Sequence, residues 1–205
     1  SSSDTDGAVS FTLDASNGNG SVQTTSTTNS TSVTKVETTT VTTTTSTQDI
    51  IGSDIDGKDA DDRSGTSVSM NSDGTIVAIG APYNNEIGTV SGHVRVYQYS
   101  SSDNSWNQLG ADINTGGHSE QFGESVSLNS DGTIVAIGAP RWNSYRGKVL
   151  VYQYSNSSWS QVGSTISGLS SLNYYGDVVS LNSDGTIFAS TSPYYNGQTG
   201  YVSVY

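Results

Sequence analysis

The 205 residues carry 7 Lys and Arg against 19 Asp and Glu, a formal net charge of −12 that excludes the basic surface demanded by nucleic-acid phosphates or an anionic membrane. Only 13% of residues are charged and 32% are hydrophobic, with 23 Gly and no Cys, which rules out a helical bundle and a disulfide framework. The plentiful Val, Ile, Thr and Tyr point instead to strands joined by polar turns, and no stretch approaches the length of a membrane span.

The first residue is Ser1, which fits a mature chain after removal of a leader, so a secreted or cell-surface protein is expected. Residues 1–48 form a Ser/Thr-rich arm; from Thr31 to Thr47 the chain is mostly Thr, with Val33, Val36 and Val41, two Ser, Lys35 and Glu37 interspersed. Such a composition suits a stalk, yet Thr is also a strand former. The arm is therefore read in three ways. It donates a strand to a neighbouring copy; it folds as a degenerate blade of strands Ala8–Asp14, Ser21–Thr27, Ser32–Thr39 and Val41–Asp49; or the chain is a piece of a longer protein. Asn29-Ser30-Thr31 and, far downstream, Asn156-Ser157-Ser158 match the N-glycosylation pattern.

An acidic loop follows, with Asp54, Asp56, Asp59, Asp61 and Asp62 around Gly57. Alternating carboxylates beside a Gly suggest calcium, although the pattern lacks the Glu that closes a helix-loop-helix calcium site, and a solvated acidic loop is the simpler reading. No other cofactor is expected.

From residue 49 the chain repeats. Asn-Ser-Asp-Gly-Thr-Ile stands at Asn71–Ile76, Asn129–Ile134 and Asn182–Ile187, and the three prolines, Pro82, Pro140 and Pro193, follow at one equivalent position. The units are 49–109, 110–162 and 163–205. Each predicts four antiparallel strands, illustrated by the middle one. Ser125-Val126-Ser127-Leu128 alternates; Asn-Ser-Asp-Gly makes a hairpin turn; Ile134-Val135-Ala136-Ile137 is apolar throughout and so covered on both faces. Val149–Tyr152 is strand three and Trp159–Val162 strand four, matched in the first unit by Val94–Tyr97 and Trp106–Leu109. The last unit ends at strand three, Val202–Tyr205, which leaves an edge the arm is expected to fill. A Gly-x-Asp-Ile link stands between units at Gly52–Ile55 and Gly110–Ile113, and has decayed to Gly163–Ile166. The predicted fold is all-β, with β-propeller-like repeats of four-stranded antiparallel blades.

Phe122-Gly123 opening strand one and Gly138-Ala139-Pro140 closing strand two resemble the FG-GAP repeat of integrin alpha-subunit propellers. The likeness spans residues 49–205, weaker at Ser64-Gly65 and Gly80-Ala81-Pro82, and eroded at Tyr175-Gly176 and Thr191-Ser192-Pro193. Calcium-binding members of that family carry an Asp-rich loop between strands one and two. Asn-Ser-Asp-Gly is too short for that, so the role is not carried over. The resemblance implies ligand-binding loops on one face of the propeller.

After each strand two comes an aromatic, Asn-rich loop: Tyr83-Asn84-Asn85, Trp142-Asn143-Ser144-Tyr145 and Tyr194-Tyr195-Asn196. Tyr83, Asn84, Trp142, Asn143, Tyr145, Tyr194 and Tyr195 are the candidate ligand residues, because flat rings beside amides suit sugars. His93 and His118 read as isolated surface residues, and Asp73, Asp131 and Asp184 as turn residues, so an enzyme is not expected. The expected role is an extracellular structural or adhesive protein that assembles with itself through the arm. The alternative is a monomeric module that binds glycans or cell-surface proteins on the aromatic loops.

Overall fold

The computed structural model describes residues 50–205, which lie within one compact unit, Gln48–Tyr205. The Thr-rich arm and Asn29 fall outside the described residues.

Three antiparallel sheets follow one another along the chain. The first runs β1 (Ser67–Met70), β2 (Ile76–Ala81), β3 (His93–Ser100) and β4 (Ser105–Gln108) in that order across the sheet. The second repeats it with β5 (Ser125–Leu128), β6 (Ile134–Ala139), β7 (Lys148–Ser155) and β8 (Ser158–Ser167). The third holds β9 (Val179–Leu181), β10 (Phe188–Ser192) and β11 (Tyr201–Val204). The repeat extends to register: Val77 faces Tyr97 and Tyr99 faces Trp106 in the first blade, as Val135 faces Tyr152 and Tyr154 faces Trp159 in the second. This is a β-propeller-like arrangement of blades.

The hairpin turns explain the repeated hexapeptide. In the first, the Gly74 N–H reaches the Asn71 carbonyl, the Asn71 Oδ1 accepts the N–H groups of Thr75 and Ile76, both at 2.9 Å, and Asp73 Oδ1 accepts the Thr75 N–H at 3.0 Å. Gly74 sits at φ +76°, which a residue without a β-carbon adopts freely. Adjacent turns are tied together: the Ser72 N–H donates to the Ser130 carbonyl at 3.0 Å, and Ser130 likewise to Ser183 at 2.8 Å.

Blades pack through the residues that recur. All six residues of β2 are buried, and so are five of the six in β6, as continuous apolar runs covered on both faces should be. Val126, Leu128, Val135, Ile137 and Leu150 face Ala78, Val94 and Val96 of the first blade, with Phe122 between. Ala136 and Val149 meet Tyr175, Val179 and Phe188 of the third. At the innermost strands, the Ser67 hydroxyl donates to the Gly123 carbonyl and the Ser125 hydroxyl to Gly176, each at 2.8 Å. Ser69 Oγ accepts the Leu128 N–H, and Ser127 Oγ the Leu181 N–H, each at 2.9 Å. The Ser-x-Ser alternation thus stitches each blade to the next.

The third blade departs from this at its outward face. Val178 stands where Ser67 and Ser125 donate, and Thr191 where the other blades have Gly80 and Gly138. Along β10 burial alternates, because only one face is covered by the second blade; Val202 and Val204 lie about two-thirds exposed.

The structure corrects the reading of strand four. Gly110–Ile113 is not only a link to the next blade: Ile113 returns to the first sheet and bridges Val94 with both N–H···O bonds at 2.9 Å. In the second blade the corresponding stretch is unbroken strand, since β8 runs through Gly163–Ile166 past a register shift opposite Val149 and Val151. Each ladder therefore reaches beyond the expected unit ends at 109 and 162. The Trp159 indole fixes this geometry by donating to the Leu109 carbonyl at 2.7 Å, and Trp106 makes the same bond to Ile51 at 2.9 Å. Ile51–Ile55 thus occupies, beside the first blade, the place that Leu109–Ile113 takes beside the second.

Candidate binding surface

The three loops after β2, β6 and β10 do not form one aromatic platform. Tyr83 is half-buried beneath the Arg63 guanidinium, whose carbon lies 4.1 Å from the ring centre. Asn84 is buried and spent internally: its Nδ2 donates to Asp62 Oδ2 at 2.8 Å and its carbonyl accepts the Gly92 N–H. Asn84 is therefore withdrawn as a ligand residue, because its amide satisfies the buried Asp62. Trp142 is half-buried with the Lys148 ammonium 5.2 Å from its ring, and Tyr195 packs edge-on against Tyr201 at 4.9 Å. Asn143, Tyr145 and Tyr194 are exposed.

Tyr145 and Tyr194 are brought together by a residue that sequence reasoning missed. Tyr174 lies between them, 4.9 Å from Tyr145 and 4.8 Å from Tyr194, so three tyrosine rings form a row across the junction of the second and third blades. Backbone bonds hold the row: the Tyr174 N–H donates to the Tyr145 carbonyl at 2.8 Å, and Leu172 to Ser144 at 3.1 Å. The signal was present as Tyr174-Tyr175, where the second unit has Gln121-Phe122. Recognising it required knowing that the loop into one blade lies beside the β6–β7 loop of the blade before.

The segment Trp142–Tyr145 is a tight helical turn in which Asn143, Ser144 and Tyr145 hold φ of 50°, 57° and 62°. Asn tolerates the left-handed region; Ser and Tyr do so at a cost of about 1–2 kcal/mol each. Strain of this kind persists where surrounding contacts enforce it, and it gathers at functional surfaces. Beside the turn is an open cleft of about 250 Å³, lined by Val90, Ser119, Arg141, Ser144 and Tyr145. The Arg141 guanidinium approaches the Tyr145 ring to 5.8 Å and supplies a charged donor at its wall.

The acidic loop does not gather into a calcium cage. Asp54, Asp56, Asp59 and Asp61 are all exposed, and among the described residues they form no three-ligand group. Asp62 alone is buried, bonded to Asn84. His118 is exposed as expected; His93 is not, being 2% accessible at the start of β3. Its Nδ1 lies 3.8 Å from Asp112 Oδ2, and the candidate ligand atoms of Glu86, His93 and Asp112 all fall within 4.8 Å of one another. Burial holds the His93 imidazole below its ordinary pKa, with Asp112 pulling the other way. At the equivalent position of the second blade, Lys148 forms a buried ion pair with Glu120 at 2.9 Å. Asn156 sits exposed in the two-residue turn between β7 and β8.

No family model and no curated protein sequence matches the chain. Among solved structures it is similar to the periplasmic gluconolactonase PpgL of Pseudomonas aeruginosa, at 15% identity and a TM-score of 0.45 over 67% of this chain and 38% of that one. It is similar also to TolB from Acinetobacter baumannii, at 16% identity and a TM-score of 0.38, over 70% of this chain and 30% of that one. A putative 6-phosphogluconolactonase from Bacteroides uniformis matches at 7% identity and a TM-score of 0.31, over 63% of this chain and 50% of that one. The chain thus spans half or less of the length of each. Two of the three bear enzyme names, and at these identities the likeness carries neither an activity nor a catalytic residue to this chain. No helix among the described residues is long and apolar enough to cross a membrane.

Proposed function

We propose that the chain is an extracellular binding module built from FG-GAP-type blades, and that it holds carbohydrate on the row Tyr145, Tyr174 and Tyr194. The row itself carries this reading. Three tyrosines from two blades, two of them at least one-third exposed, offer apolar ring surface with hydroxyls at the rim. Arg141 and Ser144 in the adjoining cleft add directional donors, and about 250 Å³ suits a single sugar ring better than a deeply buried ligand. The Phe-Gly and Gly-Ala-Pro motifs support the family reading because they meet physically, with Gly123 and Gly80 in contact across the blade junction. The full chain, passed over a panel of immobilised oligosaccharides, is expected to retain a defined subset. Tyr174→Ala should abolish that retention while Tyr83→Ala leaves it unchanged. A profile identical in Tyr174→Ala and the parent would sink the proposal.

A second reading, self-assembly, is favoured by a different observation. β3 and β7 each carry a fourth strand, whereas β11 has none among the described residues, and Ile51–Ile55 sits in the pose of a strand-four end. A strand continuing back from Ile51 into the arm fits the β11 edge of a second copy. Light scattering of the full chain and of a version lacking residues 1–48 tests it: concentration-dependent growth lost on truncation supports assembly through the arm, and monomers in both refute it.

A further inference from the structure

We propose that Glu86, His93 and Asp112 form a site for one divalent transition-metal ion of the zinc kind, and that Lys58 is the cation that holds the two carboxylates when the metal is absent. The argument begins with the repeat. In the second blade the first residue of strand three, Lys148, brings a fixed positive charge to a buried carboxylate, Glu120. In the first blade the same position is His93, whose ring carries no obligatory charge, yet the acidic groups around it are more numerous: Asp112, Glu86 and the buried Asp62. The cation that Lys148 supplies in one blade has to come from elsewhere in the other.

Lys58 supplies it only in part. Its ammonium lies 2.6 Å from Glu86 and 3.8 Å from Asp112, on a side chain 41% exposed, and neither ring nitrogen of His93 finds a hydrogen-bond partner among the described residues. A buried imidazole left without a partner is costly, and the Lys58 ammonium leaves it so, because its contacts are with the Glu86 and Asp112 carboxylates and not with the ring. A metal ion would satisfy both needs at once, taking the lone pair of one nitrogen and neutralising the two carboxylates.

The donor set selects the class of ion. Calcium seeks six to eight oxygens, whereas one imidazole with two carboxylates matches zinc and its neighbours, with further positions left for water. A tetrahedral zinc with ligands at about 2.1 Å spaces the ligand atoms roughly 3.4 Å apart. The three groups must therefore close from their present spread of up to 4.8 Å. Glu86 lies exposed on the β2–β3 loop, and departure of Lys58 frees both carboxylates for that movement.

Calorimetric titration of the untagged, chelator-treated full chain with Zn²⁺ tests the site, paired with the visible absorption of added Co²⁺. The expected result is one ion per chain with the intense bands of a four-coordinate cobalt. Asp112→Asn should weaken affinity tenfold or more. Lys58→Ala, which alters an exposed side chain and no ligand, should tighten it severalfold by removing the competing cation. Folding of each variant is read from its thermal transition, and the Lys58→Ala arm stands even if a ligand variant fails to fold. Unchanged affinity in Lys58→Ala overturns the proposal, as does binding that survives Asp112→Asn but falls in His118→Ala. Stoichiometric Ca²⁺ binding in place of Zn²⁺ overturns the assigned class.

Discussion

Gly138 lies against the carbonyl of Gly176 so closely that a β-carbon at 138 would come within 1.9 Å of that oxygen. Gly80 stands in the same relation to Gly123, at 2.0 Å. The glycine closing strand two of one blade is thus the floor on which the glycine opening strand one of the next blade rests. Gly138→Ala must push two blades apart. Overpacking of this kind costs about 1–3 kcal/mol and often more against backbone, so the melting temperature is expected to fall by roughly 5–10 °C. Thr191→Ser, at the same position in the third blade, should change it by less than about 2 °C. Equal losses in both variants would refute the contact.

The bond from the Trp159 indole to the Leu109 carbonyl supports the second half of the first blade's strand four. Trp159→Phe keeps most of the ring packing and removes the donor, leaving the Leu109 carbonyl to water. The expected cost is about 1 kcal/mol, and it should be local. Hydrogen exchange at the Ile113 amide, which is bonded to Val94 at 2.9 Å, is expected to accelerate, while exchange at Ile137 in the central strand does not. Uniform acceleration throughout the sheet would mean that the indole only stabilises the whole fold.

The blades were legible in the sequence because their signals are periodic and local: a five-residue turn, an apolar strand and a terminal proline, three times over. Interactions between blades were legible only as unexplained identity. Ser67 and Ser125 recur because each donates to a carbonyl roughly one repeat away, a demand no local pattern displays. The candidate surfaces were hidden for the same reason. Tyr174 joins Tyr145 only through the stacking of successive blades, and His93 looked isolated since Asp112 lies 19 residues ahead of it, on the strand-four return that was read as a plain linker. Of the five aspartates in nine residues, read as a solvated acidic loop, four are exposed, and the burial of the fifth, Asp62, was hidden because its partner Asn84 lies 22 residues away.

Ser127 and Ser180 occupy equivalent positions with different surroundings. Ser127 Oγ accepts the Leu181 N–H, whereas Ser180 is exposed and has no such partner among the described residues. Ser127→Ala leaves an amide between blades without an acceptor, which costs about 1–3 kcal/mol, and Ser180→Ala should be nearly silent. Chemical denaturation of the two variants distinguishes them. A comparable loss in Ser180→Ala would show that something covers the third blade's outer face in solution, and would redirect attention to self-assembly.

Glu124 and Asp177 predict a pH dependence of definite sign. Burial raises the Glu124 pKa, and the neighbouring Asp177 raises it further against the opposing pull of Arg141 and Arg63; burial raises Asp177 as well. A carboxyl whose folded pKa lies above its unfolded value stabilises the fold fully below the unfolded value, near 4.3 for Glu, and that contribution is lost as the pH rises through the folded value. The turn aspartates Asp73, Asp131 and Asp184 act oppositely, since hydrogen bonds from Thr75, Thr133 and Thr186 lower their pKa values. Their contribution is present above the unfolded Asp value and is lost as the pH falls through the lower folded one, a window beneath that of Glu124. Glu124→Gln therefore isolates the buried group. It should raise the melting temperature by roughly 1–3 °C at pH 7, where the parent must keep a partly buried charge. The advantage should shrink steadily to nothing as the pH approaches 4. A difference that does not vary between pH 4 and 7 would show that the carboxyl is solvated in the folded protein.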